Sequence, residues 1–339
     1  MMSMILASST PAPASQPAEV SAQVLAVLGA FSALSLAIAW AAGVWRPCKV
    51  RGPSRLMPDD STARFFALAL IAVAGAFASH PAMYALLPFL PEHQRNIIAG
   101  GMAMAVAAVV LLVAVPVARE GGLGLLGLRG RGLLRGIVAG IVGLLIMLPW
   151  LFWLALGVKL MLDHLGIEAP TDHDVFRIWH RPDSDALFRV LAVAMAVVAA
   201  PLAEELLLRG VVQTGLSWLF AGGRFRAMAV KAPAAPPQPV EPTPDSPEPT
   251  QPPLLTAPAA LPPDWPPTAA RWAAIVTTSL LFALLHTPWP TRIPIFVLSL
   301  GLGYLYERTA NLWACIFMHA FFNAVQISIF VLAGAASAN

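Results

Sequence analysis

Long apolar runs separated by short charged connectors dominate this chain, and the length of the runs decides how they are read. A helix needs about 20 apolar residues to cross roughly 30 Å of hydrocarbon. Eight stretches meet that measure, at 22–45, 65–90, 96–118, 134–161, 186–208, 272–289, 291–306 and 312–334. The pattern therefore predicts an all-α, polytopic transmembrane helix bundle of about eight spans. The fifth run stays apolar without a breaker to Phe220 and predicts an interfacial extension. The seventh is short because Pro290, Arg292 and Pro294 crowd its start. Such a span needs surrounding protein or a thinned bilayer.

Composition agrees with this picture and excludes the soluble alternative. The 339 residues are 58% apolar and 12% charged, with a mean hydropathy of +0.72. A pair of soluble domains would carry about twice that share of charge. The net charge of +3 does not point to nucleic acid, because the Lys and Arg residues lie beside the apolar runs and form no basic face. They orient the bundle instead. Arg46, Lys49, Arg51, Arg55 and Arg64 mark one cytoplasmic loop, and Arg119, Arg129, Arg131 and Arg135 a second, whereas residues 162–185 hold six acids against two arginines and belong outside. Both chain termini are then expected outside, with the chain an integral multi-pass protein of the cell membrane, the inner one in a bacterium. Cys48 and Cys315 lie in unlike settings and define no disulfide framework. The N-terminus lacks the basic and apolar regions of a cleaved signal.

Between Lys231 and Thr268 the chain has 15 prolines in 38 residues. Such a segment forms neither helix nor sheet and reads as an extended, disordered cytoplasmic linker. The expected organisation is a disordered tail at 1–20, N-terminal transmembrane helices at 21–185, a first core segment at 186–230, the linker at 231–268 and a second core segment at 269–339.

Candidate chemistry enters where the fifth span breaks the apolar rule. In "APLAEELLLRG", residues 200–210, Glu204, Glu205 and Arg209 interrupt a run that from Ala186 is otherwise charged only at Arg189. One ion at the centre of a membrane helix costs on the order of 3 kcal/mol. Glu205 and Arg209, four residues apart, face one another and offset part of that cost as a supporting pair. Glu204 lies about 100° further round the helix and must face another polar group or a water-filled cavity. Later runs offer groups to meet it. "FALLHTP" carries Phe282 and His286 one turn apart, and "HAFFNA" carries His319 and Asn323 one turn apart. A carboxylate, two imidazoles and an amide on three helices can activate a water, with the carboxylate as general base and the others as donors to an oxyanion. The competing reading is a non-enzymatic membrane protein, a transporter or an immunity-type binding protein with a buried polar network. A transporter is expected to interrupt helices in both halves, but only the seventh span is short and flanked by prolines.

"EELLLR", "FALLH" and "HAFFN", in that order, resemble the motifs EExxxR, FxxxH and HxxxN of the CPBP intramembrane proteases, which include CAAX prenyl proteases of the Rce1 type and bacterial bacteriocin-processing or immunity homologues. The likeness spans residues 186–334. It implies an intramembrane endopeptidase acting on a membrane-embedded or lipid-anchored protein or peptide, with the lipid bilayer as its setting and no nucleic acid. It makes Glu204 the catalytic glutamate and His286, His319 and Asn323 the remaining catalytic groups, with Glu205, Arg209 and Phe282 in support. No HExxH is present, so water activation without a metal or other cofactor is the expectation. Under the zinc alternative the ligands would be Glu204, His286 and His319.

Overall fold

The computed structural model describes residues 15–41, 60–118, 122–168, 186–220 and 268–337. The proline-rich stretch before Thr268, the first 14 residues and most of the acidic 162–185 loop lie outside the described residues. No strand occurs among those described. The helices are α1 (Ser15–Ala41), α2 (Asp60–Ala85), α3 (Glu92–Ala118), α4 (Leu133–His164), a continuous α5 from Ala186 to Phe220, α6 (Thr268–Leu284), α7 (Arg292–Thr309) and α8 (Leu312–Ser337). A helix stands at each of the eight apolar stretches. Helix α1 begins at Ser15, inside the segment expected as a tail.

Among the described residues five helices are long and apolar enough to cross a membrane, within Gln23–Ala41, Gln94–Ala114, Gly130–His164, Ala186–Ser217 and Leu312–Leu332. Helices α2, α6 and α7 fall outside that set; α6 has only 17 residues. Among the described residues five candidate spans are thus supported, in a helical architecture with a helix at each of the eight expected positions. The shortfall at α6 and α7 has a local cause. The chain leaves the helix after Leu284 and turns through Pro288, Pro290 and a 3₁₀ turn at Trp289–Thr291 before α7 starts. Proline has no N–H to continue a helix.

Close approaches fix the direction of each helix pair. Gly136 of α4 lies against Trp313 and Ala314 of α8, and Gly140 lies against Ala314, Phe317 and Met318. Residue numbers rise together, so α4 and α8 run parallel, and small residues let their backbones meet. A Cβ on Gly140 would sit 2.8 Å from Met318 N. By the same reasoning α5 and α7 run parallel, through Arg209–Ser299 and Gln213–Gly303, whereas α5 and α8 run antiparallel, through Ala196–Asn323 and Glu205–His319. These directions match a chain that reverses at every span.

The core gathers at the centre of α4, α5, α7 and α8, around Leu144, Leu206, Leu298, Leu302, Met318 and Phe322. Residues such as Phe31, Ile38, Phe77, Val113, Leu145 and Leu332 remain exposed on the outer faces. In a membrane protein that apolar outside faces lipid. One connector is bound into the core as well. Gly127 has φ +82°, and a Cβ there would lie 2.3 Å from Ala310 O, so only glycine fits where this turn passes under the α7–α8 corner.

Candidate active site

The site forms where α5 departs from α-helical geometry. Helix α5 contains two π-helical stretches, Met195–Ala199 and Leu206–Gln213, on either side of Ala200–Glu205. Such widened turns are rare and occur often at functional sites. The first ends where Ala200 N–H reaches back five residues to Met195 O, directly before Pro201. The second alters which side chains share a face. Residues four apart drift about 40° round an α-helix, and the wider π turn counters that drift. Glu205, Arg209 and Gln213 consequently form one buried stripe facing α7.

Along that stripe every charge has a partner. Arg209 Nε lies 3.2 Å from Glu205 Oε2, and both side chains are fully buried. Arg209 Nη2 donates to Ser299 Oγ at 2.7 Å and to Ser299 O at 3.1 Å. The guanidinium also stacks 5.1 Å from the centre of the Phe282 ring. The expected Glu205–Arg209 pair is present, and Glu205 has a second task. Its Oε1 accepts from His319 Nδ1 at 3.0 Å. An imidazole that gives its Nδ1 hydrogen to a carboxylate has its tautomer and ring orientation set by it.

That orientation turns His319 Nε2 towards Glu204. The Nε2–Oε2 separation is 3.8 Å, too long for a direct hydrogen bond. Glu204 Oε2 has no hydrogen-bond partner among the described residues. The Glu204 side chain retains 21% exposure, against none for Glu205. Two adjacent carboxylates thus differ: Glu205 is tied to Arg209 and His319, whereas Glu204, partly exposed along its side chain, holds a buried Oε2 that stands 3.8 Å from an imidazole without a hydrogen bond.

His286 is positioned differently from its neighbours. It lies two residues beyond the last helical residue of α6, in the turn and not within the span. Its Nδ1 is 2.7 Å from Phe282 O; because a carbonyl can only accept, this nitrogen carries the hydrogen. The Phe282 ring stands between the two histidines, with its centre 4.3 Å from that of His286 and 5.6 Å from that of His319. Phe282 is therefore the shared wall of the site, touching both imidazoles and Arg209. Asn323 approaches from another direction. Its Nδ2 donates to Ala196 O at 2.8 Å, in the first π stretch.

The zinc alternative finds no matching ligand set. Glu204 and His319 converge, but His286 sits behind Phe282, and the described residues contain no group of three or more His, Cys, Asp or Glu side chains able to hold a metal ion. No step below is assigned to one.

A second buried network, absent from the reading of the sequence, continues the stripe. Gln213 Nε2 donates to Gly303 O and to Glu307 Oε1, both at 3.1 Å. Arg271 Nη1 pairs with Glu307 Oε2 at 2.9 Å. Glu307 looks like a helix-end charge in the sequence, but the structure ties α5, α6 and α7 together through it. The signal was present as spacing. Ser299, Gly303 and Glu307 repeat every four residues on α7, as Glu205, Arg209 and Gln213 do on α5.

Comparison with known proteins adds one finding. Residues 256–325 match the family model described as type II CAAX prenyl endopeptidase Rce1-like. That segment is Rce1-like. It contains Phe282, His286, His319 and Asn323 and stops short of Glu204, Glu205 and Arg209. The matched segment is similar to a protease family and lies within a multi-pass, helical membrane protein. No curated protein and no solved structure matched the chain.

Proposed function

We propose that this protein is an intramembrane endopeptidase that hydrolyses a peptide bond of a membrane-associated protein or peptide, with Glu204 activating the water. The observation that carries this reading is the 3.8 Å gap between Glu204 Oε2 and His319 Nε2. With its Nδ1 hydrogen given to Glu205, neutral His319 presents a lone pair at Nε2, and ionised Glu204 presents another. Two acceptors at that separation suit a water that gives one hydrogen to each.

The chemistry follows from that arrangement. Glu204 takes a proton as the water oxygen bonds to the scissile carbonyl carbon, and the carbonyl oxygen becomes an oxyanion. Glu204 then returns the proton to the leaving amide nitrogen as the C–N bond breaks. His319 Nε2, accepting the water's second hydrogen, holds it for attack, and the oxyanion is left to His286, whose Nδ1 is already committed and whose Nε2 donates once it has taken a proton from solvent. Arg209 holds Glu205 in place through their ion pair, so Glu205 orients His319 and does not act as a second base. Asn323, on α8, is bound to the backbone of α5 and acts from outside this set. The Rce1-like match over the segment bearing both histidines supports a peptidase. The same match makes a lipid-modified C-terminal peptide a reasonable first substrate to try.

The test is to compare membrane proteomes of cells carrying the wild-type protein and Glu204→Gln. The substrate should accumulate uncut with Glu204→Gln while the variant still inserts and folds. Cleavage by Glu204→Gln at the wild-type rate would overturn the proposal.

A further inference from the structure

Asn323 does not touch Glu204, His286 or His319 in the structure; its amide is bound to the backbone of α5. The identity of that carbonyl carries the argument. In the first π stretch Ala200 N–H pairs with Met195 O, five residues back. The next carbonyl in that register, Ala196 O, would be served by the N–H of residue 201. Residue 201 is proline, which has none. Asn323 Nδ2 supplies the missing hydrogen bond at 2.8 Å from the neighbouring helix.

The register matters because a π turn holds one residue more than an α turn. One residue is worth about 100° of rotation, so relaxation of this turn to α geometry would swing everything beyond it round the helix axis. Glu204 lies three residues beyond Pro201. Its direction towards His319 depends on the turn keeping its extra residue. The turn is held on its other side too, since a Cβ on Gly101 of α3 would lie 2.2 Å from Met195 Sδ.

We infer that Asn323 is a positioning residue: it stands in for the N–H that Pro201 lacks, pins the π turn at Ala196 and so aims Glu204 at His319. This rests on the proposed hydrolytic role of Glu204 and gives Asn323 a task other than direct contact with the oxyanion.

The experiment is a double-mutant cycle on the full-length, detergent-purified protein: wild type, Asn323→Ala, Pro201→Ala and both together, each measured for thermal stability and for cleavage kinetics. Pro201→Ala restores an N–H at the required place. Asn323→Ala alone is expected to lower Tm and to cut kcat roughly 100-fold with KM little changed. In the double variant the Tm loss caused by removing Asn323 should shrink by more than half, and kcat should recover at least about tenfold over Asn323→Ala. If Asn323→Ala fails to fold, folding of the double variant supports the inference, and failure of both overturns it. Additive Tm effects overturn it as well. Coupled Tm values without recovery of kcat overturn the aiming of Glu204, since Asn323 would then act on the oxyanion itself. If the wild-type protein cleaves no membrane peptide, the protease reading fails, and the Tm cycle still decides whether Asn323 replaces the proline's missing donor.

Discussion

Two faces of α5 carry neighbouring carboxylates and treat them in opposite ways. On the face towards α7, Glu205, Arg209 and Gln213 are sealed among Ser299, Gly303, Glu307 and His319, with no exposure at Glu205 or Arg209. On the adjoining face Glu204 has no ion pair like that of Glu205 with Arg209; its buried Oε2 stands 3.8 Å from His319 Nε2, and about a fifth of its side chain is exposed. The difference teaches what a buried charge is for. Removing one partner of a sealed ion pair leaves an uncompensated charge, so the pair holds three helices in one arrangement. A carboxylate left open beside an imidazole adds nothing comparable to stability and can accept a proton. His319 joins the two faces, with one nitrogen committed to each.

The comparison can be broken at either face. The largest effect is expected from Glu204→Gln, which should reduce the rate of peptide cleavage by about 10³-fold or more while Tm stays close to wild type. Glu205→Gln should do the reverse in emphasis. It removes the charge facing Arg209, and unfolding in denaturant should show a loss of about 3–5 kcal/mol, with activity falling as His319 loses its orienting partner. Equal Tm losses for the two variants would erase the distinction drawn here. Further along the stripe, Glu307→Gln should cost about 1–3 kcal/mol, because its buried ion pair with Arg271 becomes a hydrogen bond to a neutral acceptor. Gln213→Ala should cost about 1 kcal/mol by the same measurement, removing a neutral donor from Gly303 O. At the bottom of the scale, Lys159→Ala should change stability by less than about 0.5 kcal/mol, since its 2.8 Å pair with Asp163 is more than half exposed on both sides.

Much of the molecule was legible before any coordinates, and the legible parts share a cause. Helix positions followed from apolar run length, because a backbone in lipid must satisfy its own hydrogen bonds within the segment. The Glu205–Arg209 pair followed from a four-residue spacing on a single helix. Three features escaped. The end of α6 at Leu284 and the turn around Pro288 and Pro290, within which His286 lies, were not visible in run length alone. Glu307 read as the end of a helix although its partners, Gln213 and Arg271, stand 94 and 36 residues away. The bond from the Asn323 amide to the backbone at Ala196, 127 residues away, is likewise invisible in local spacing.

The sequence by itself determined the all-helical, membrane-spanning character of this protein and the set of polar residues that its apolar helices have to accommodate. Both depend on short-range rules: the thickness of a bilayer, the turn of a helix, and the cost of an ion without a partner. Only the tertiary structure decided which of two adjacent glutamates is closed off and which stays open. That outcome depends on contacts across 90 to 127 residues of chain, from Arg209 to Ser299, from Glu205 to His319 and from Ala196 to Asn323. It also depends on two widened turns that rotate one face of α5 against another. No local pattern encodes that rotation, because it arises where a proline, a glycine on α3 and an asparagine on α8 meet the same turn.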